Sequence, residues 1–425
     1  MTILLSFLTF GPYHLARLSA SRAQGAANGV SVTGLAMSDT DSEYSWEAGL
    51  SGGVTFAVNG IAVEDVAARD WRKYLEPVMD EIKPDVCAIA GYSHPAMLAL
   101  ITLCLRRSIP WILMSDSREV DLPREKWREW SKGRVVKLAS SGFAAGKTHV
   151  EYLEKLGIEK GLCSTGYDVV DNEYFASGAR KWRSPPRSSV EFDAGPVYPY
   201  FLASNRFIPK KNLFRLLSAY AEYTKDPQHN QYPAWPLCLL GDGELKIDLI
   251  AHANHLGLTV IERAPWELET PHLRPEATPA SAIVFFPGFR QIAELPRFYA
   301  HAGAFVHAST TEQWGLVVNE AMAASLPVIV SNLCGCAQEL VRDQVNGFTF
   351  NPNDVGELAS LMTRMSSMEA GKRDALGLAG KEIIADWGLE RFAGGLTRAA
   401  EKAIETGSKK PSAIDRFLLY LLSRR

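Results

Sequence analysis

Two glutamates, Glu312 and Glu320, stand on either side of Gly315 in the otherwise apolar stretch TTEQWGLVVNEAMAASLPVIVS, residues 310–331. Two basic residues, Arg206 and Lys211, lie close together in NRFIPKKN. A planar guanidinium fork and a compact ammonium together suit a diphosphate. Gly315 opens a helix expected over Leu316–Ser325, and the N–H groups at Gly315, Leu316 and Val317 favour an anion because a helix start leaves them without intrahelical acceptors. Glu320 falls on the second turn, too far in to cap that helix. A carboxylate beside a phosphate repels it unless it faces hydroxyl groups instead. Ribose and sugar hydroxyls are natural donors to both glutamates, so the set reads as a site for a nucleotide diphosphate sugar.

Such residues must be held by a scaffold, and the chain repeats one rhythm. Short apolar runs (LLSFLTF, VCAIAG, WILMSD) alternate with longer amphipathic stretches, as βαβ units around a parallel sheet do. The pattern fills residues 1 to about 180. KWRSPPRSSVEFDAGP, residues 181–196, interrupts it with prolines, serines and charges, as an interdomain linker does. PYFLAS, LCLLG, IVFFPG, AFVHAS and PVIVS then resume it. The expected fold is α/β, with two doubly wound, Rossmann-like domains. In an open parallel sheet ligands bind beyond the carboxyl ends of the strands. The residues to read are therefore Asn205-Arg206 after the first run of the second half, Asp242-Gly243 after LCLLG, Pro287-Gly288-Phe289 after IVFF, and Ser309 to Glu312 after AFVHA.

Bulk properties narrow the function classes. With 425 residues, 47% of them apolar, the chain exceeds what one core usually supports. The net charge of −3 comes from 45 basic and 48 acidic residues spread over both halves, which leaves no footprint for nucleic acid. Of the six cysteines only Cys334 and Cys336 lie close together, and no metal-ligand or disulfide spacing emerges. No cofactor and no metal are expected. The run Ile3 to Phe10 is too short to span a membrane and lacks a basic flank or cleavage site, so it reads as a first buried strand in a cytoplasmic protein. SDTDSE, residues 38–43, holds an Asp-x-Asp like that of metal-dependent transferases of another fold, but its loop position marks a chance match.

Arg206 and Lys211 in NRFIPKKN, Gly241 to Gly243 in GDGEL, the glutamates of EQWGLVVNEAMA and the later CGCAQELVRDQVNGFTF together resemble the retaining glycosyltransferases of family 4, also called glycosyl transferases group 1, which have the GT-B fold. The resemblance is strongest over residues 200–400. It implies an N-terminal domain over 1–185 on the acceptor side, a donor domain over 195–385 and final helices over 386–425 that cross back to the first domain. It also implies that Glu320 binds the donor ribose, that Glu312 contacts sugar hydroxyls, and that Arg206 and Lys211 hold the diphosphate. Gly241, Gly243, Gly315, Leu316, Val317, Gly288 and Phe289 would line the donor pocket.

The first half matches more loosely. In GPYHLARL, residues 11–18, only Gly11 stands where many relatives carry a glycine pair near the phosphates. In GYSHP, residues 91–95, His94 resembles the histidine that reaches the transferred sugar, and it reads equally as a structural histidine. His14 and Asp116 are acceptor-side candidates at other strand ends. The implied reaction is metal-independent transfer, with retention, of a hexose-type sugar to a glycan, a lipid-linked saccharide or a small molecule, as in polysaccharide biosynthesis. A nucleotide-sugar epimerase of the same fold and a non-catalytic nucleotide-sugar-binding protein are the alternatives.

The basic segment over residues 123–137, with Arg124, Arg128, Lys132, Trp127 and Trp130, reads either as a face for anionic lipid at the inner side of a membrane or as a solvated helix or active-site rim. The apolar tail FLLYLLSRR, residues 417–425, admits the same two readings.

Overall fold

The computed structural model describes residues 1–40, 53–121, 123–183, 199–230, 234–267 and 282–424. Most of the expected linker, from residue 184 onward, and Asp41 of the Asp-x-Asp lie outside the described residues.

Among the described residues fourteen strands form two seven-stranded sheets in which all the neighbouring strands pair in parallel. The first sheet holds β1 (Thr2–Phe7), β2 (Ser31–Ser38), β3 (Val54–Val58), β4 (Val86–Ala90), β5 (Trp111–Ser115), β6 (Ser141–Ala144) and β7 (Cys163–Thr165), in the order β3-β2-β1-β4-β5-β6-β7. The second holds β8 (Tyr200–Ser204), β9 (Leu237–Leu240), β10 (Thr259–Ile261), β11 (Ile283–Gly288), β12 (Ala302–His307), β13 (Val328–Ser331) and β14 (Gly347–Phe350), in the order β10-β11-β9-β8-β12-β13-β14. The direction of winding reverses between β1 and β4 in one sheet and between β8 and β12 in the other. Those switch points open the crevices where ligands of such sheets bind. The α/β fold with two doubly wound units is thus present.

The chain divides into a unit of Met1–Asp171 with Trp387–Arg425 and a unit of Asn172–Asp386. The first unit ends at Asp171 rather than at 185, because the helix Asn172–Arg183 packs against the helices Leu295–His301 and Leu316–Ala323 of the second. Arg183 makes that attachment specific. Its guanidinium donates to the carbonyls of Ala300 at 3.0 Å and Ala324 at 2.7 Å, which lie at the C-terminal ends of those two helices. Cations there satisfy carbonyls that have no intrahelical donor and complement the helix dipole.

In the first unit the helix Leu389–Thr406 shows why the final segment belongs there. Phe392, Ala393, Leu396, Ala399, Ala400 and Ala403 recur at helical spacing and are all buried. They pack on the helix Pro12–Ala27 and on β6. Burial of side chains such as Phe392 and Leu396 contributes roughly 1.5–3 kcal/mol each. A Cβ on Gly395 would come within 2.6 Å of both the Thr165 carbonyl and the Phe143 ring, so only glycine lets the helix lie this close to the sheet. Ser141 Oγ donates to the Ala399 carbonyl at 2.7 Å and fixes the helix lengthwise.

The central strands of both sheets are buried on both faces, which is why they read as continuous apolar runs rather than as alternating ones. Among the described residues no helix is long and apolar enough to cross a membrane.

Candidate active site

In the second unit the loops after β8 and β12, the strands flanking the switch point, are tied by their backbones. Thr310 N donates to the Lys210 carbonyl at 2.9 Å. Asn212 adopts a left-handed conformation (φ 59°), and its buried amide donates to the carbonyls of Ala308 at 3.1 Å and Pro352 at 2.8 Å. Asn tolerates that conformation better than most residues. The short helical turn Pro209–Lys211 between these anchors therefore carries Lys211 to Glu312. From the far side, Gly335 N donates to the Glu312 carbonyl at 2.9 Å and Cys336 N to that of Trp314 at 3.1 Å, so the loop after β13 fixes the strip bearing the glutamate.

Glu312 is 8% exposed and forms an ion pair with the Lys211 ammonium. The same carboxylate oxygen lies 3.1 Å from Nε2 of the fully buried His307 and accepts from Ser309 Oγ at 3.3 Å. Burial alone would raise the Glu312 carboxyl, but the His307 hydrogen bond and the Lys211 charge outweigh it and hold the group well below the ordinary carboxylate range. Burial lowers the affinity of His307 for a second proton, opposed in part by its bond to Glu312, so the ring is neutral and donates through Nε2. The glutamate is thus an anion through neutral pH, and Lys211 has three donors of which Glu312 occupies one. His307 was not among the residues singled out in the sequence, whereas Ser309 was read there only as a strand-end residue. The readable signal was the HAS tripeptide at the end of an apolar strand, three residues before the glutamate.

Gly315 (φ 107°) N-caps the helix Leu316–Ala323, which is two residues shorter than expected. A Cβ there would sit 3.4 Å from Glu312 Cγ and 3.6 Å from His307 Nε2, so the helix start bearing Leu316 and Val317 abuts the Lys211–Glu312 cluster. Glu320, on that helix, is only 1% exposed and accepts from the Tyr299 hydroxyl at 2.8 Å. Trp314 Nε1 donates to Asn319 Oδ1 at 3.0 Å, which locks the turn onto the helix.

Arg206 lies two residues beyond the end of β8 and is exposed. The loop carrying it is laced to the loop after β9. Asn205 N donates to the Leu240 carbonyl at 2.9 Å and Phe207 N to that of Asp242 at 2.7 Å. Gly241 (φ 131°) and Gly243 (φ 152°) permit this approach. A Cβ would come 1.8 Å from the Asn205 carbonyl oxygen at the first and 2.8 Å from the Phe207 backbone at the second. Gly288 (φ 83°), at the end of β11, accepts from Gly241 N at 3.1 Å, and Phe289 beside it is 39% exposed. Cys334 and Cys336 are buried thiols.

The candidates of the first unit do more structural work. His94 caps the helix Pro95–Arg106, its Nδ1 accepting from Ala96 N at 3.1 Å, and its ring meets Trp71 edge-on at 6.2 Å. Burial lowers its pKa, with Glu64 acting the other way. His14 accepts from Gly11 N at 3.2 Å and stacks on Phe7 at 4.2 Å, and burial, then Arg17, lower its pKa to about 3. Gly11 caps the helix Pro12–Ala27 with φ −87°, a conformation open to any residue. Asp116 follows β5 and lies near enough to Tyr167 to help burial and Asp168 raise that phenol's pKa.

Residues 191–383 match the family model described as glycosyl transferases group 1. Over 100 residues the chain is 38% identical to the sulfoquinovosyl transferase SQD2 of Arabidopsis thaliana, covering 23% of this chain and 19% of that one. Over 149 residues it is 30% identical to the alpha-monoglucosyldiacylglycerol synthase of Acholeplasma laidlawii, covering 35% and 30%. These alignments thus span less than a third of the two relatives. Among solved structures, the Anabaena protein HepE in complex with UDP and glucose superposes with a TM-score of 0.64 at 17% identity, over 93% of this chain and 98% of that one, a likeness of fold. Residues 191–383 thus match the glycosyl transferases group 1 model, and the chain has the GT-B fold.

Proposed function

We propose that this protein transfers a hexose-type sugar from a nucleotide diphosphate sugar to a glycan, lipid-linked saccharide or small-molecule acceptor, with retention of anomeric configuration and without a metal ion. The observation that carries the reading is the buried Lys211–Glu312–His307–Ser309 cluster beside the helix start at Gly315, at the switch point of the second sheet. It combines a cation and helix N–H groups suited to a diphosphate with an ionised carboxylate suited to hydroxyl groups.

When the bond between the anomeric carbon and the diphosphate oxygen breaks, negative charge grows on the phosphate and the sugar becomes oxocarbenium-like. Preorganised cations and N–H groups at the leaving oxygen lower that barrier most. Lys211, Arg206 and the backbone at Leu316 and Val317 have that role here. Glu312 holds the sugar hydroxyls and Glu320 the ribose. The acceptor oxygen attacks from the face the diphosphate leaves, and the departing phosphate takes its proton. HepE, solved with UDP and glucose, favours UDP as the first donor nucleotide to try, and the name alpha-monoglucosyldiacylglycerol synthase favours a lipid among the acceptors.

Incubation with a panel of radiolabelled nucleotide sugars tests the reading. Free nucleotide with label on an acceptor is expected. An isomerised sugar still joined to its nucleotide would mean an epimerase, and binding without turnover of any donor would mean a binding protein.

A further inference from the structure

Two segments distant in sequence, and ambiguous there, meet in the first unit. The helix Lys126–Val136 exposes Trp127 (57%) and Trp130 (56%), three residues apart and hence on one face. The helix Ala413–Leu422 buries Asp415 and Leu419 and turns outward Ile414 (55%), Phe417 (63%), Tyr420 (51%) and Leu421 (46%). Arg134 joins them. Its guanidinium lies 2.6 Å from the Asp415 carboxylate, donates to Ser412 Oγ at 2.8 Å, and sits 5.9 Å over the Trp130 ring. Arg134 thus places the helix with the exposed tryptophans beside the last helix, which has its own exposed apolar face. Large apolar side chains gathered this way mark a surface that something covers.

The charges around the patch identify what. Glu125 and Glu129 are already occupied by Arg128 and by Lys132 with Arg124. Lys126 and Arg416 have no carboxylate partner among the described residues, and Arg424 lies over the Tyr420 ring at 4.3 Å. The surround is basic, so a second copy of the same face would be repelled, since like-charged faces disfavour each other. An anionic bilayer supplies both an apolar interior and negative headgroups. We infer that this face docks on an anionic lipid bilayer, with Trp127, Trp130, Phe417 and Leu421 entering the interface and the surrounding lysines and arginines meeting headgroups.

Co-sedimentation of the full chain with extruded vesicles tests this without any sugar donor, so it stands or falls separately from the transferase reading. Binding to phosphatidylcholine vesicles containing phosphatidylglycerol is expected, with much weaker binding to phosphatidylcholine alone. Two double variants, Trp127→Ser with Trp130→Ser and Phe417→Ser with Leu421→Ser, change exposed side chains only. Each should keep the parent's thermal unfolding and bind the anionic vesicles roughly tenfold or more weakly. Absence of parent binding, or unchanged binding in both variants, overturns the inference. So does a lipid-free dimer, seen by sedimentation velocity, that either variant dissolves, because a second copy would then be the occupant.

Discussion

Replacing Glu312 by glutamine removes one negative charge while keeping the side chain's size. The carboxylate oxygen that is changed serves the Lys211 ammonium and His307 Nε2 together. Charge-assisted contacts are worth about 1.5–3 kcal/mol each. Two that share one oxygen do not add, so the combined loss is about 2–3 kcal/mol, roughly 30- to 150-fold at 1.4 kcal/mol per tenfold. That loss is expected in folding stability. A charge-assisted bond to a sugar hydroxyl, worth about 1.5–3 kcal/mol or roughly ten- to a hundredfold, is lost besides in turnover of the intact donor, because the sugar hydroxyls that Glu312 would hold are present only there. Affinity for the nucleotide diphosphate alone should change little. The same substitution has a signature in stability. The Glu312 carboxyl is held well below its ordinary value of 4.5, so its contribution to folding is complete above that pH and is lost as the pH falls through the folded-state value. Glutamine does not titrate, so the stability difference between parent and variant should be largest near neutrality and shrink on acidification below 4.5. Steady-state kinetics beside urea unfolding across pH provides both readouts. Turnover equal to the parent's, or a stability difference independent of pH, would refute the role given to this carboxylate.

His307→Phe keeps a ring in a fully buried position but removes the donor to Glu312, so it should lower turnover and cost about 1–3 kcal/mol of stability, with His307→Gln retaining more of both. Thermal unfolding and kinetics on the pair check it. Gly241→Ala forces a Cβ to within 1.8 Å of the Asn205 carbonyl oxygen at φ 131°. It should destabilise the second unit by about 3 kcal/mol or more through combined strain and overpacking, read as a shift in the urea midpoint. Turnover should survive EDTA, and complete loss restored by Mg²⁺ or Mn²⁺ would contradict leaving-group stabilisation by side chains and backbone.

How much of this was legible in the sequence follows from the range of the forces involved. Parallel strands leave apolar runs that any reader can find, and VCAIA, WILMS, YFLAS and VIVS each appear as a strand because burial on both faces is a local compositional demand. The order of those strands is not local. That β11 lies between β10 and β9 could not be read from the runs themselves. The two glutamates and the basic pair were visible as residue types at strand ends. That Lys211 pairs with Glu312 depends on the Thr310–Lys210 backbone bond, which spans a hundred residues. His307 escaped notice because it ends an apolar strand and looks like core, and its partner lies in the following turn. His94 shows the reverse case. A histidine before a proline at a helix start carries a local capping signal, and the ring does cap.

The central claim is that the β8/β12 switch point holds a nucleotide diphosphate through Arg206 and Lys211. Isothermal titration of UDP, with GDP and ADP alongside, into the parent and into the Arg206→Ala, Lys211→Ala double variant tests it most directly. At least one of the three should bind the parent and should lose roughly ten- to a hundredfold or more in the double variant, the worth of one or more charged hydrogen bonds. A nucleotide diphosphate that binds both proteins with equal affinity, or a folded parent that binds none of the three, would contradict the account.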